Sequence, residues 1–190
     1  HQLQGHIQSI YLVEYPEKLL LLDGCCRADI SMLKQFVTGD LGRPFTDLKL
    51  IVVTHMHPDH AGAAHKLRKI TGCEIASAKM PNHWYKGLSG RLSHLVDIAL
   101  ATGVASRMGK ARKNLWYSAH LRIDYGLTDQ DTVPGFDDWY VLMTSGHTDR
   151  DLSIVHIPSK RMYVADLLVK VKARFIPPIP VNFPEQYRAS

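Results

Sequence analysis

Hydrophobic residues come in short runs along the first part of the chain and become almost continuous at Leu48-Lys49-Leu50-Ile51-Val52-Val53-Thr54. A run of that length, rich in β-branched side chains, predicts a strand buried on both faces of a layered α/β domain. Upstream, residues 10–14 and 19–22 read as two strands joined by the turn Tyr15-Pro16-Glu17-Lys18, which makes a hairpin. Residues 28–37 carry Ile30, Leu33 and Val37 at helical spacing, before a loop marked by Gly39, Gly42 and Pro44. A helix over 61–70, stopped by Gly72, and a strand over 74–78 continue the alternation. Residues 84–122 then break the rhythm: Leu88, Leu92, Leu95 and Ala99 recur at helical spacing, which predicts a helical insertion lying over the core. Strand character returns at 139–144, 152–157 and 161–165, the last two joined by Pro158-Ser159-Lys160.

The end of the chain adds one expectation. Asn182-Phe183-Pro184-Glu185 opens a helix, with proline where no hydrogen bond is lost, yet the sequence stops soon afterwards. So short a helix is marginal alone, and a C-terminally truncated single domain over 1–190 is expected.

Composition narrows the class. With 190 residues and 45% hydrophobic content the chain can bury one sizeable core. No apolar run is long enough to span a bilayer, so no membrane partner is expected. The three cysteines form no disulfide framework, since Cys25 and Cys26 are adjacent. Reduced thiols fit a cytoplasmic location, although a chain beginning at His1 leaves a removed leader open. The net charge of +5 is concentrated between Lys79 and Arg122, where Lys79, Lys86, Arg91, Arg107, Lys110, Arg112, Lys113 and Arg122 face only Asp97. That excess suits an anionic small-molecule substrate, or a solvated helical face.

The chemistry is concentrated at the end of the buried strand. His55-Met56-His57-Pro58-Asp59-His60 packs four metal-ligating side chains into six residues. In extended backbone, residues two apart point the same way, so His55 and His57 can share one cation. A turn into the following helix swings Asp59 and His60 toward a second. Imidazoles with a carboxylate suit zinc, and also iron or manganese.

The complete HxHxDH motif at a strand end resembles that of the metallo-β-lactamase superfamily. Ser145-Gly146-His147-Thr148 is similar to the family's Gly-His-Thr turn, and Tyr163-Val164-Ala165-Asp166-Leu167 to the segment carrying its bridging aspartate. The resemblance implies a four-layer αββα sandwich and two divalent metal ions. His55, His57 and His147 would hold the first ion, Asp59 and His60 the second, and Asp166 would bridge them. Two departures stand out. The family's last histidine has no counterpart before the chain ends, and Asp149-Arg150-Asp151 follows the turn where many relatives have Pro-Gly. Asp23-Gly24, where relatives have an Asp-x-Gly strand end, reads as a structural turn.

Such a centre implies a metal-dependent hydrolase, in which a metal-bridged hydroxide, oriented by Asp59, attacks an ester, lactone, thioester or lactam carbonyl. The alternatives are a nucleic-acid phosphodiesterase of the same superfamily, which would use the basic stretch, and a member that binds metal without catalysis. A di-iron oxidoreductase is disfavoured by His57, where such relatives carry an acid. His65, His83, His94, His120 and His156 read as solvated or hydrogen-bonded. Trp84, Tyr85, Trp116 and Tyr117, bracketing the insertion, read either as an apolar substrate wall or as core.

Overall fold

The hairpin expected from the leading apolar runs forms in the computed structural model, which describes residues 1–190. Strands β1 (Gln2–Gln4), β2 (Ser9–Glu14) and β3 (Leu19–Leu22) are antiparallel neighbours. Next come α1 (Ile30–Gln35), β4 (Leu48–Val53), α2 (Ala64–Thr71), β5 (Glu74–Ala78), α3 (Gly87–Arg107) and β6 (Tyr125–Leu127). β3, β4, β5 and β6 pair in parallel, so the first sheet runs β1-β2-β3-β4-β5-β6. β4 therefore has strands on both sides, and Ile51, Val52 and Val53 are fully buried.

A second, antiparallel sheet is built from β7 (Thr132–Val133), β8 (Phe136–Met143), β9 (Leu152–His156) and β10 (Arg161–Tyr163), in the order β10-β9-β8-β7. A small hairpin of β11 (Val169–Val171) and β12 (Arg174–Ile176) and the short α4 (Pro184–Ala189) complete the chain.

Alternation along the strands divides the apolar residues between two cores. Leu20, Leu22, Leu50 and Val52 of the first sheet pack against Phe136, Trp139, Val141, Leu152 and Ile154 of the second. Leu19, Leu21, Ile51 and Val53 point the other way, onto Leu33, Ala64 and Leu67 of the helices. This is a mixed α/β fold with helix, sheet and sheet in successive layers. α4 lies against the turn at 145–147, and Ser190, which follows it, donates its hydroxyl to the Ser145 carbonyl. The three cysteines are buried and unpaired among these apolar groups. No helix is long and apolar enough to cross a membrane.

The insertion differs from its prediction in two ways. Helix ends at Arg107, and Gly109, at φ +70°, turns the chain into an irregular segment instead of continuing to 122. The periodic leucines also face outward: Leu88 is 86% exposed, Leu92 64% and Leu95 50%. The buried face is instead made of Gly90, His94, Ala101 and Ala105. Apolar residues surround α3 on all sides, so their spacing cannot say which side docks. Small size decides it, since a Cβ on Gly90 would lie 2.2 Å from the Tyr85 backbone.

Candidate metal centre

β4 ends at Val53 and delivers Thr54 and then His55 to the C-terminal edge of the first sheet. The chain turns through 55–63 before α2 begins at Ala64, later than the expected start at 61. A tight turn is needed there, because a Cβ on Gly62 would sit 2.0 Å from the Pro58 carbonyl. The loop is pinned by backbone bonds from Gly24 N–H to the His60 carbonyl (2.5 Å) and from Ala63 N–H to the Gly24 carbonyl (3.1 Å).

Three imidazoles converge. His57 Nδ1 lies 3.0 Å from His55 Nε2 and 2.9 Å from His147 Nε2. Nitrogens around a tetrahedral zinc at ~2.0–2.1 Å would be separated by roughly 3.3 Å, so the triangle is near the size of one face of such a site. Asp166 joins it, with one potential ligand atom from each of His55, His57, His147 and Asp166 lying within 4.8 Å of the others. Asp166 Oδ2 is 3.4 Å from His147 Nε2 and 3.8 Å from His55 Nε2, while its Oδ1 is 3.4 Å from His60 Nε2. Asp59 Oδ2 lies 3.6 Å from the same His60 nitrogen. All six residues singled out in the sequence are thus brought together, with Asp166 between the two groups.

The outer nitrogens explain why the inner ones are free. Asp23, in a positive-φ turn at +74°, sends its buried carboxylate under the loop. It accepts from Thr54 N–H (2.8 Å), the Thr54 hydroxyl (2.9 Å), His60 Nδ1–H (2.8 Å) and the Tyr163 hydroxyl (2.8 Å). Since the Thr54 hydroxyl donates to Asp23, its oxygen accepts from His55 Nδ1–H at 3.0 Å. His147 Nδ1–H donates to the Pro180 carbonyl (2.6 Å). In His55, His60 and His147 Nδ1 is engaged outward, leaving Nε2 as the atom that faces inward. Buried His60 Nε2 has no hydrogen-bond partner at all. An orphaned nitrogen facing two carboxylates fits a cation, and the donor set as a whole fits one as well.

Charge at the site follows from this crowding. Burial, and then the neighbouring imidazoles, hold His55 well below the usual histidine range. Burial followed by His147 and His60 pushes His57 down to about 3. Burial would raise Asp166, but His60, His147 and His57 overcome it and draw the carboxyl down to about 2. Burial raises Asp59. Burial opposes a charged His60, but Asp23, Asp166 and Asp59 surround it and lift it well above its ordinary value.

The other motifs fall into place around this centre. Gly146 sits at φ +153°, and a Cβ there would lie 2.5 Å from Tyr187 of α4. Asp151 ties the turn together, accepting from Gly146 N–H (3.1 Å), Thr148 N–H (2.6 Å) and the Thr148 hydroxyl (2.7 Å). The departure from Pro-Gly therefore has a job: it staples the turn that presents His147. Asn182 Nδ2 also donates to the His147 carbonyl at 2.6 Å, so the tail read as a marginal helix supports the site.

In the sequence Asp23 marks only a turn, and nothing there assigns Thr54 or Tyr163 a part in the site. The available signal was a lone aspartate closing a wholly apolar strand, a place where an unpaired carboxylate would be costly. Of the aromatics bracketing the insertion, Tyr85 and Tyr117 are buried; the Tyr117 hydroxyl donates to the Met56 carbonyl and the Tyr85 hydroxyl lies 3.1 Å from it. Trp84 packs near Phe183 and Arg150, and Trp116 is 52% exposed. A cavity of about 350 Å³ lined by Trp84, His83, His120, Arg122 and Arg150 meets the metal loop only at Met56. None of the six candidate ligands lines it.

The fold is a layered α/β scaffold that gathers a His/Asp cluster able to hold a metal ion, and comparison with known proteins gives the family. The profile of the metallo-β-lactamase superfamily matches residues 3–189, and the chain belongs to that superfamily. The chain is 23% identical to "Probable metallo-hydrolase YflN" of Bacillus subtilis, over 90% of this chain and 65% of that protein. It is 22% identical to "Probable metallo-hydrolase YqjP" of the same organism, over 84% of this chain and 52% of that one. The chain thus spans about half to two thirds of these curated relatives. Among solved structures, TTHA1623 in a di-iron-bound form is similar at TM-score 0.61 and 21% identity, over 98% of this chain and 80% of that one. BJP-1, a subclass B3 metallo-β-lactamase of Bradyrhizobium japonicum, is similar at TM-score 0.56 and 21% identity, over 95% of this chain and 64% of that one. At these identities the structural likeness speaks for the fold.

Proposed function

We propose that this chain carries a binuclear metal centre that hydrolyses an ester, lactone, thioester or lactam bond of an anionic small molecule. The observation behind this reading is the position of Asp166, with one carboxylate oxygen toward His55 and His147 and the other toward the orphaned nitrogen of His60. His55, His57 and His147 would hold one cation, Asp59 and His60 a second, and Asp166 both. Zinc is the first choice for this donor set, with iron or manganese as the alternatives, the former because a similar structure is described as di-iron-bound. When bound, the pair supplies Lewis acidity and a water acidic enough to act near neutral pH.

The protein's own contribution is positional. Asp23 fixes His60 directly and His55 through Thr54, so that neither imidazole needs to reorient. Asp59, half-sheltered beside His60, would orient the attacking water and take its proton. The exposed basic residues in and around α3, such as Lys86, Arg91 and Arg112, favour an anionic substrate. The same excess supports a second reading, a phosphodiesterase acting on nucleic acid.

Elemental analysis of the purified protein, followed by rates on lactone, thioester, lactam and phosphodiester substrates, tests both. Two equivalents of metal with turnover of a carbonyl substrate is the expected result. Metal-replete protein that cleaves only the phosphodiester selects the second reading, and protein that takes up no metal overturns both.

A further inference from the structure

Three of the four clustered histidines have an outer partner that accounts for their orientation, and His57 is the exception. It turns Nδ1 inward, toward His55 Nε2 and His147 Nε2, so with a cation held on Nδ1 the ring's proton would sit on the outward Nε2. The group facing Nε2 comes from the insertion: Asp97 Oδ2 of α3 lies 3.8 Å away. Asp97 is also the only acidic residue between Lys79 and Arg122, among eight basic ones.

Its placement is not that of a loose surface carboxylate. The Tyr85 hydroxyl donates to Asp97 Oδ2 at 2.8 Å and lies 3.1 Å from the carbonyl of Met56, the residue between His55 and His57. The Tyr117 hydroxyl, 2.8 Å from that of Tyr85, reaches the same carbonyl. Buried His94, one turn before Asp97, packs edge-on against Tyr85 and tilted against Tyr117, with ring centroids 4.9 and 4.6 Å apart. The insertion thus holds the backbone of the metal loop from one side and presents a carboxylate to the one imidazole that lacks a partner.

We infer that Asp97 is a positioning residue for His57, accepting the Nε2 proton directly or through one bridging water and so fixing Nδ1 as the ligand atom of the first metal site. A gap of 3.8 Å is longer than a hydrogen bond but suits a small ring rotation or one water. Partners of this kind raise ligand basicity, and losing them typically costs about 10- to 100-fold in metal affinity. α3 then acts as part of the metal centre's support in addition to any role in shaping a pocket. The inference rests on the first site of the proposed function being a real metal site.

The test uses zinc alone as the probe, on the full chain. Chelator competition gives zinc affinity for the wild type, Asp97→Asn, Asp97→Ala, Asp97→Glu and the exposed helix control Leu92→Ser. Metal-free melting shows that each variant is folded, and long-range proton–nitrogen spectra of the zinc-loaded protein report the His57 Nε2–H. The expected result is a loss of about 10- to 100-fold in affinity for Asp97→Ala, a smaller one for Asp97→Asn, partial recovery with Asp97→Glu and none for Leu92→Ser, together with a moved Nε2–H resonance. Affinities of the Asp97 variants within about twofold of wild type, or an unmoved resonance, overturn the inference while leaving the metal site intact. A wild type that binds neither zinc nor, when these are tried in its place, iron or manganese overturns the proposed function itself.

Discussion

β4 and α3 are both rich in apolar residues, and they use them in opposite ways. In β4, Ile51, Val52 and Val53 are completely buried between neighbouring strands, and the apolar run ends where the ligands begin. In α3 the leucines stand in solvent while glycine, alanine and histidine make the contact. A strand has two faces set by alternation, so burying both demands apolar residues at every position. A helix ringed with apolar side chains has no such constraint, and close approach selects the face with the smallest ones. One pattern therefore carries information about packing and the other does not.

The sharpest way to break the contrast is at the ligands beyond β4. His57→Ala or Asp166→Ala should abolish binding at the affected site, losing more than the roughly 100-fold that an outer partner costs at most. Metal content after dialysis measures it, and a variant that keeps two equivalents and full turnover contradicts the assignment. In the strand itself, Leu50→Ala removes a side chain that is 2% exposed and sits between the sheets, with an expected cost of about 2–5 kcal/mol in denaturant unfolding.

Asp23→Asn should weaken metal binding by about 10- to 100-fold, because the carboxylate holds His60 and, through Thr54, His55. Metal-free protein should also lose stability in acid. His57 is held near 3 in the fold, against about 6.5 unfolded. The unfolded chain therefore binds more protons between those values, and stability that is full above pH 6.5 falls as the pH drops toward 3. Melting in chelator across that range checks the sign, and His57→Gln should flatten the slope. The smallest effect belongs to α3: Leu92→Ser, on a side chain 64% exposed, should change stability by no more than about 0.5 kcal/mol. A loss above about 1 kcal/mol would show that this face is covered in solution.

Much of the fold was legible because alternation and turn chemistry act locally. The hairpin at Ile10 and Leu19, β4 and β5 lie where their patterns place them, and the later strands differ by a few residues. β1, β6, β7, β11 and β12, of two or three residues each, are too short for alternation to mark them. Of the centre, the ligands were visible and their supports were not. Asp23 meets His60 across 37 residues and Tyr163 across 140, separations at which no local pattern survives. Asp97 looked like one stray acid in a basic stretch, and only the approach of α3 to the metal loop gives it a neighbour.

The chain by itself determined which atoms are available for coordination: HxHxDH, the Gly-His-Thr turn and Asp166 fix the donor types, and the apolar run of β4 fixes where the first four emerge. The tertiary structure alone decided which nitrogen of each ring turns inward. That choice depends on outer acceptors supplied by distant segments, Asp23, Thr54 and the Pro180 carbonyl, whose positions are set by sheet pairing and loop packing rather than by neighbours in sequence.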